Sequence, residues 1–237
     1  METPSYAILS RQSGLLNETR VVANNIANAA TSGYRQQGLV FSEYVRGGLG
    51  TSSLSMARGQ IRNTSQEQGV LTQTGGDFDL AIDGEGFFML ETPGGERLTR
   101  AGSFTPNAQG DLVNVDGYRL MDANGAPVFV PPDIDGVRIG PDGTISGGGR
   151  LLGQIGLFKP IDPHGLIREG GVFFRADDGT EPIEGASIMQ GFLEGSNVNA
   201  IDQVARLVEV QRAYELGQSF LQSEDERIRN AVNSLLR

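Results

Sequence analysis

Residues 23–35 read Ala23-Asn24-Asn25-Ile26-Ala27-Asn28-Ala29-Ala30-Thr31-Ser32-Gly33-Tyr34-Arg35. Asn24, Asn25 and Asn28 fall on consecutive turns of a helix, the alanines between them let another backbone approach closely, and Gly33 suits the left-handed conformation that ends a helix. Upstream, Ile8, Leu15, Val22 and Ala29 recur every seven residues, with Ile26 on the adjoining face and no proline after Pro4. That spacing predicts one amphipathic helix running into the stretch.

The other end of the chain repeats the pattern at greater length. Leu207, Tyr214, Leu221, Ile228 and Leu235 form a seven-residue series. Its companion position holds Val204 and Val232, with polar Gln211, Gln218 and Asp225 between them, which predicts a coiled-coil seam with a polar middle. A helix from Asn199 to Leu236, capped by Ser196 or Asn197, would be about 57 Å long. Such a helix needs a partner along its length. The N-terminal helix is the candidate within the chain, and being shorter it leaves part of the seam for other chains.

Between these ends the chain changes character. Of 34 glycines all but Gly14 and Gly217 lie between Gly33 and Gly195, and of 10 prolines all but Pro4 lie between Pro93 and Pro182, so long helices are excluded from the middle. Phe78, Leu80 and Ile82 alternate with Asp79, Ala81 and Asp83. Gly84-Glu85-Gly86 then turns the chain into Phe87-Phe88-Met89-Leu90. Leu112–Val115, Tyr118–Met121, Val128–Val130, Ile155–Phe158 and Val172–Arg175 read as further short strands. The expected fold class is a mainly β middle domain with long terminal α-helices pairing as an α-helical coiled-coil-like domain. Its expected divisions are an N-terminal helix over 1–35, an extended connector over 36–76, a β-rich outer domain over 77–190 and a C-terminal helix over 191–237.

Composition removes several function classes. The chain has no cysteine, so disulfides, thiolate nucleophiles and cysteine zinc sites are excluded. A formal charge of -10 makes phosphate backbones poor partners, and no nucleic acid is expected. The opening Met1-Glu2-Thr3-Pro4-Ser5-Tyr6 has no basic region, and no run approaches the roughly 18 apolar residues of a membrane span. Neither a cleaved signal peptide nor a membrane span is expected, and these facts alone point to a soluble cytoplasmic chain.

The quoted stretch resembles the N-terminal signature of the flagellar rod and hook proteins, Ala-Asn-Asn-Ile-Ala-Asn followed by Thr-x-Gly-aromatic-basic. Asp79–Phe88 with Thr99-Arg100-Ala101-Gly102-Ser103-Phe104 resembles the start of that family's β domain. Leu193–Asn199 with Gln211-Arg212-Ala213-Tyr214-Glu215 resembles its C-terminal signature. Tyr6–Gln12 is more similar to the proximal-rod branch than to the distal-rod or hook branches. The resemblance implies a core domain built from both termini, polymerisation into a tube around an export channel, and partners that are copies of the chain and other rod proteins. It also implies export through the flagellar type III apparatus without a cleaved signal, to a periplasmic rod. A distal-rod or hook-type subunit and a secreted coiled-coil adhesin are the alternatives.

Other motifs read as structural. Asp77, Asp79, Asp83 and Glu85 lack the spacing of a calcium loop and fit a strand face and turn. His164 sits in the turn Pro163-His164-Gly165 with no Ser or Cys partner nearby, and Gly147-Gly148-Gly149 lacks the Lys-Ser/Thr of a phosphate loop. No catalytic residue, cofactor, metal or small-molecule substrate is expected. The residues expected to carry assembly are Asn24, Asn25, Asn28, Thr31, Gly33 and Tyr34 at the first helix end, with Leu207, Gln211, Arg212, Tyr214, Leu221 and Ile228 on the second helix.

Overall fold

The computed structural model describes residues 3–48, 51–134, 136–183 and 185–235. Two helices enclose the strands in chain order: α1 (Thr3–Ala27) at the start and α2 (Ala200–Leu235) at the end. Between them run β1 (Gln37–Gly48), β2 (Thr51–Thr64), β3 (Leu71–Gln73), β4 (Leu80–Asp83), β5 (Phe87–Thr92) and β6 (Gly95–Thr99). Short strands follow as β7 (Thr105–Pro106), β8 (Leu112–Val113), β9 (Arg119–Leu120), β10 (Arg138–Ile139), β11 (Thr144–Gly147) and β12 (Arg150–Gln154). The series closes with β13 (Leu157–Pro160), β14 (Leu166–Glu169), β15 (Phe173–Ala176), β16 (Thr180–Pro182), β17 (Ser187–Gln190) and β18 (Phe192–Glu194).

The chain folds into two compact units. One gathers α1, the antiparallel pair β1–β2 and α2; the other gathers Asn28–Gln36 and Gln66–Val198. In the second unit, β5 is the hub of an antiparallel sheet, pairing with β6, β9 and β13. Its run Phe87-Phe88-Met89-Leu90 is buried throughout, because the two faces serve two cores. Phe88 and Leu90 join Leu80, Ile82, Leu112 and Leu120 on one side, while Phe87 and Met89 meet Leu98, Phe158 and Phe174 on the other. A strand covered on both faces reads as a continuous apolar run. For the same reason Ala81, the polar-face position in the expected alternation of β4, is fully buried.

The helical expectation is corrected. Among the described residues there are only two helices, flanking a largely β middle region, and no long paired coiled coil is formed. In the first unit α1 packs against α2 and also against the β1–β2 hairpin. Along α2 only Gln203 and Val210 are buried, with Leu207, Tyr214, Gly217, Leu221 and Glu224 half-buried, and every described side chain from Asp225 to Asn233 is exposed. The inward companion positions are thus Gln203, Val210 and Gly217, one residue before the Val204, Gln211 and Gln218 of the expected seam. One residue is a rotation of about 100° around a helix. At 25 residues, α1 is too short to cover the 36 of α2.

The start of α2 also differs from expectation. Asn199 caps it, its side-chain oxygen accepting the amide of Ile201 at 3.0 Å. Asn197 is engaged elsewhere, and the Ser196 hydroxyl accepts the Val198 amide. Leu236, the expected last helical residue, and the side chain of Leu235 lie outside the described residues.

Candidate assembly interface

The quoted stretch is divided between the two units. Residues up to Ala27 complete α1, and Asn28–Gln36 enter the β-rich unit. The turn that follows α1 is closed by the Thr31 amide on the Asn28 carbonyl at 3.1 Å and by the Thr31 hydroxyl on the Asn28 side chain at 3.2 Å. Gly33 then adopts φ 71°, and its amide donates to the Glu194 carbonyl at 2.8 Å. A Cβ on Gly33 would stand 2.2 Å from the Ala101 nitrogen. Since α1 already stops at Ala27, the glycine is required by this close backbone approach as well as by its φ.

What the approach delivers is a buried charge cluster. Arg35 and Arg100 both pair with Glu194, at 3.0 and 3.1 Å, and all three side chains are at most 3% exposed. Glu194 further accepts the Gly69 amide at 3.0 Å. Arg35 donates to the carbonyls of Gln66 and Glu67, and Arg100 to that of Gly84 at 2.7 Å. Burial pushes the Arg100 guanidinium down to about 10 and Arg35 is lowered for the same reason, each opposed by Glu194. Two guanidiniums on one carboxylate leave a surplus positive charge, so Glu194 is the group on which both depend.

A second cation fixes the neighbouring residue. The Arg168 guanidinium lies 4.6 Å from the centroids of both the Tyr34 and Phe174 rings and donates to the Arg35 carbonyl. Burial raises the Tyr34 hydroxyl above its ordinary range, and Arg168 opposes that shift. Asn197 ties the two terminal signatures together. Its side-chain oxygen accepts the Gln36 amide at 2.6 Å, and its nitrogen donates to the Glu67 carbonyl at 2.7 Å.

In the helical unit, Asn25 is 1% exposed and serves both sides of one peptide. Its nitrogen donates to the Gln37 carbonyl at 2.8 Å and to Gln203 of α2 at 3.0 Å, while its oxygen accepts the Gln37 amide at 2.9 Å. Thus one side chain of α1 pins the first residue of β1 and the first inward position of α2. Buried Glu18 of α1 accepts Arg206 of α2 at 2.7 Å, which raises the pKa of that guanidinium. Farther along, Ile8 and Leu15 of α1 and Leu216, Gly217 and Phe220 of α2 wall an apolar groove of about 300 Å³.

The other residues expected at an interface are scattered over exposure classes. Asn24, Gln211, Arg212 and Ile228 are exposed, and Asn28, Thr31, Leu207, Tyr214 and Leu221 are half-buried. Asn25, Gly33 and Tyr34 are buried within the single chain.

Three family models match in succession: flagella basal body rod protein over residues 6–35, the D1 domain of flagellar hook protein FlgE/F/G over 81–147, and the C-terminal part of basal-body rod FlgEFG over 189–235. The chain is 39% identical to the flagellar basal-body rod protein FlgF of Caulobacter vibrioides, over 99% of this chain and 98% of the relative. The chain belongs to the flagellar basal-body rod family. Identity is 36% to FlgF of Mesorhizobium japonicum, over 91% of this chain and 90% of that protein. It is 31% to the rod protein FlgG of Bacillus subtilis, over 96% and 97%. The chain is a structural subunit of the flagellar basal-body rod, of the FlgF kind.

Each of the three family segments supplies one member of the buried cluster: Arg35 ends the first, Arg100 lies in the second and Glu194 in the third. None of the three was singled out from sequence as a site residue, nor was Arg168. The available signal was local. Arg100 stands in Thr99-Arg100-Ala101-Gly102 and Glu194 in Leu193-Glu194-Gly195, charges set among small and apolar residues, where a solvated surface would place polar ones.

Proposed function

We propose that this rod subunit polymerises with copies of itself and with other flagellar rod proteins through its terminal helices, forming part of the drive shaft around the export channel. In this reading it is carried to the periplasm by the flagellar type III apparatus, takes a proximal position, and performs no catalysis. The observation that carries it is the uncovered state of α2. Leu216 is 73% exposed, and Ile228 and Val232 stand at 42 and 49%, on a helix that the chain itself covers only in part. Large apolar side chains in a row on an exposed helix mark a contact surface.

Asn24, Gln211, Arg212 and Ile228 are direct contacts in this reading. Leu207, Tyr214 and Leu221 stand at the edge of the α1–α2 pair, where neighbours reach them, and Asn28 and Thr31 lie in the turn that ends α1. Asn25, Gly33 and Tyr34 serve assembly from inside, by holding the chain segments that present those contacts. Among the described residues no helix is long and apolar enough to cross a membrane, and no three acidic or histidine side chains converge as metal ligands.

Leu221→Asp tests the reading. The variant is expected to keep the β-rich unit folded and to abolish rod assembly and swimming, because a carboxylate then stands in the helix contact. Electron cryo-microscopy of isolated basal bodies should place wild-type density in the rod. Swimming by the variant, or absence of the wild-type chain from the axial structure, would overturn it.

A further inference from the structure

From Val204 to Val232 every fourth residue of α2 is a large apolar side chain, except Arg212 and Glu224. All six apolar members are between 41 and 73% exposed. Residues four apart form one ridge of a helix, and it turns about 40° around the axis at each step. Val208 and Arg212 lie away from the inward row of Gln203, Leu207 and Val210, Leu216 and Phe220 edge the groove beside α1, and Ile228 comes round to the inward side where it is no longer covered. Arg212 makes no ion pair among the described residues, whereas Glu224 is held only by Arg227, an exposed i,i+3 contact at 2.8 Å. Such exposed pairs hold weakly and exchange readily for a better partner.

The two charges fix how the ridge can meet a copy of itself. With two α2 helices parallel and unshifted, Arg212 faces Arg212 and Glu224 faces Glu224, which is repulsive. A shift of one or two ridge steps sets the charges against apolar side chains and leaves them unpaired. A shift of three steps, about 18 Å, brings opposite charges together and every flanking position onto an apolar one. An antiparallel pair centred on Gln218 satisfies the same charges, but it is two-fold and closes as a dimer. A rod needs a contact whose two halves differ, so that each copy leaves one half open for the next.

We propose that α2 joins successive copies of this chain in parallel, with Val208, Arg212 and Leu216 of one copy packed on Phe220, Glu224 and Ile228 of the next. The inference rests on the rod-subunit reading and adds the face, partner and stagger to it. Matched ridges of this type cross at about −50°, which confines the contact to these six side chains.

Because the chain has no cysteine, introduced pairs report without background. Full-length Val208→Cys/Phe220→Cys, replacing the native chain in cells, should form a disulfide ladder of dimers, trimers and longer species on oxidation of purified basal bodies. Val208→Cys/Ile228→Cys should not; dimers from that variant alone would mean the antiparallel pair and overturn the proposal. In parallel, Arg212→Glu should lower incorporation at least about tenfold and Arg212→Glu/Glu224→Arg should restore it. A double variant no better than the single one, with wild-type chain still found in basal bodies, overturns the ridge contact and leaves the rod reading standing. Absence of the wild-type chain from basal bodies overturns both.

Discussion

The β-rich unit and the second helix of the helical unit differ in how far the chain itself covers them. In the first, Arg35, Arg100 and Glu194 are almost wholly removed from water and their partners all come from the same chain. In the helical unit, α2 buries Gln203 and Val210, then leaves the side chains from Asp225 to Ser234 exposed. A unit whose buried charges find their ion-pair partner internally can be rigid before it meets anything else. A helix whose apolar ridge is uncovered is incomplete until something packs on it. The pairing of a finished unit with an unfinished one suits a building block whose shape is set early and whose contacts form late.

The comparison breaks hardest at Glu194. Glu194→Ala removes the carboxylate that pairs with both buried guanidiniums, and breaking a buried ion pair in this way costs on the order of 3–5 kcal/mol. The loss should appear as a lower urea midpoint for the near-ultraviolet signal of the aromatic cluster of Phe87, Phe158 and Phe174, with Arg100 lying 5.4 Å from the Phe87 ring. An unchanged midpoint would mean that water reaches the cluster. Charge alone is then insufficient to describe the unit as closed.

Asn25 sharpens the comparison from the helical side. Asn25→Ala strips the hydrogen bonds to Gln37 and Gln203 and leaves the Gln37 amide and carbonyl without their side-chain partner, a loss of about 2 kcal/mol. Because those bonds lie within one unit, the effect should be visible in the isolated chain as faster hydrogen exchange at the Gln37 amide. Exchange at the wild-type rate would show that the peptide is held by the backbone alone.

How much of this was legible follows from the range of each interaction. Phe87–Leu90 announces a strand because its apolar side chains are neighbours in sequence, and the left-handed turn at Gly33 is likewise local. The charge cluster is not local: Arg35, Arg100 and Glu194 come from distant segments, and a charged side chain read alone is most often solvated. On α2 the seven-residue series located Leu207, Tyr214 and Leu221, all half-buried. The other inward row was missed because Gln203 and Gly217 carry no hydropathy signal, so the more apolar Val204 drew the seam one residue around the helix. The predicted coiled coil failed for a related reason. A heptad pattern states which face is apolar and says nothing of whether the chain contains enough helix to cover it.

The smallest effect in the isolated protein is the one that separates the two units most clearly. Ile228 is 42% exposed and lies beyond the last half-buried position of α2. Ile228→Ser should therefore shift the stability of the isolated chain by no more than about 0.5 kcal/mol, as exposed substitutions generally do. The same side chain lies on the ridge assigned to the neighbouring copy, so incorporation into basal bodies should fall although folding does not. Glu194→Ala is expected to reverse that order, with folding lost first and assembly lost as its consequence. If Ile228→Ser instead destabilised the isolated chain as much as Asn25→Ala, α2 would be covered by its own chain in solution, and the distinction between a finished and an unfinished unit would have to be abandoned.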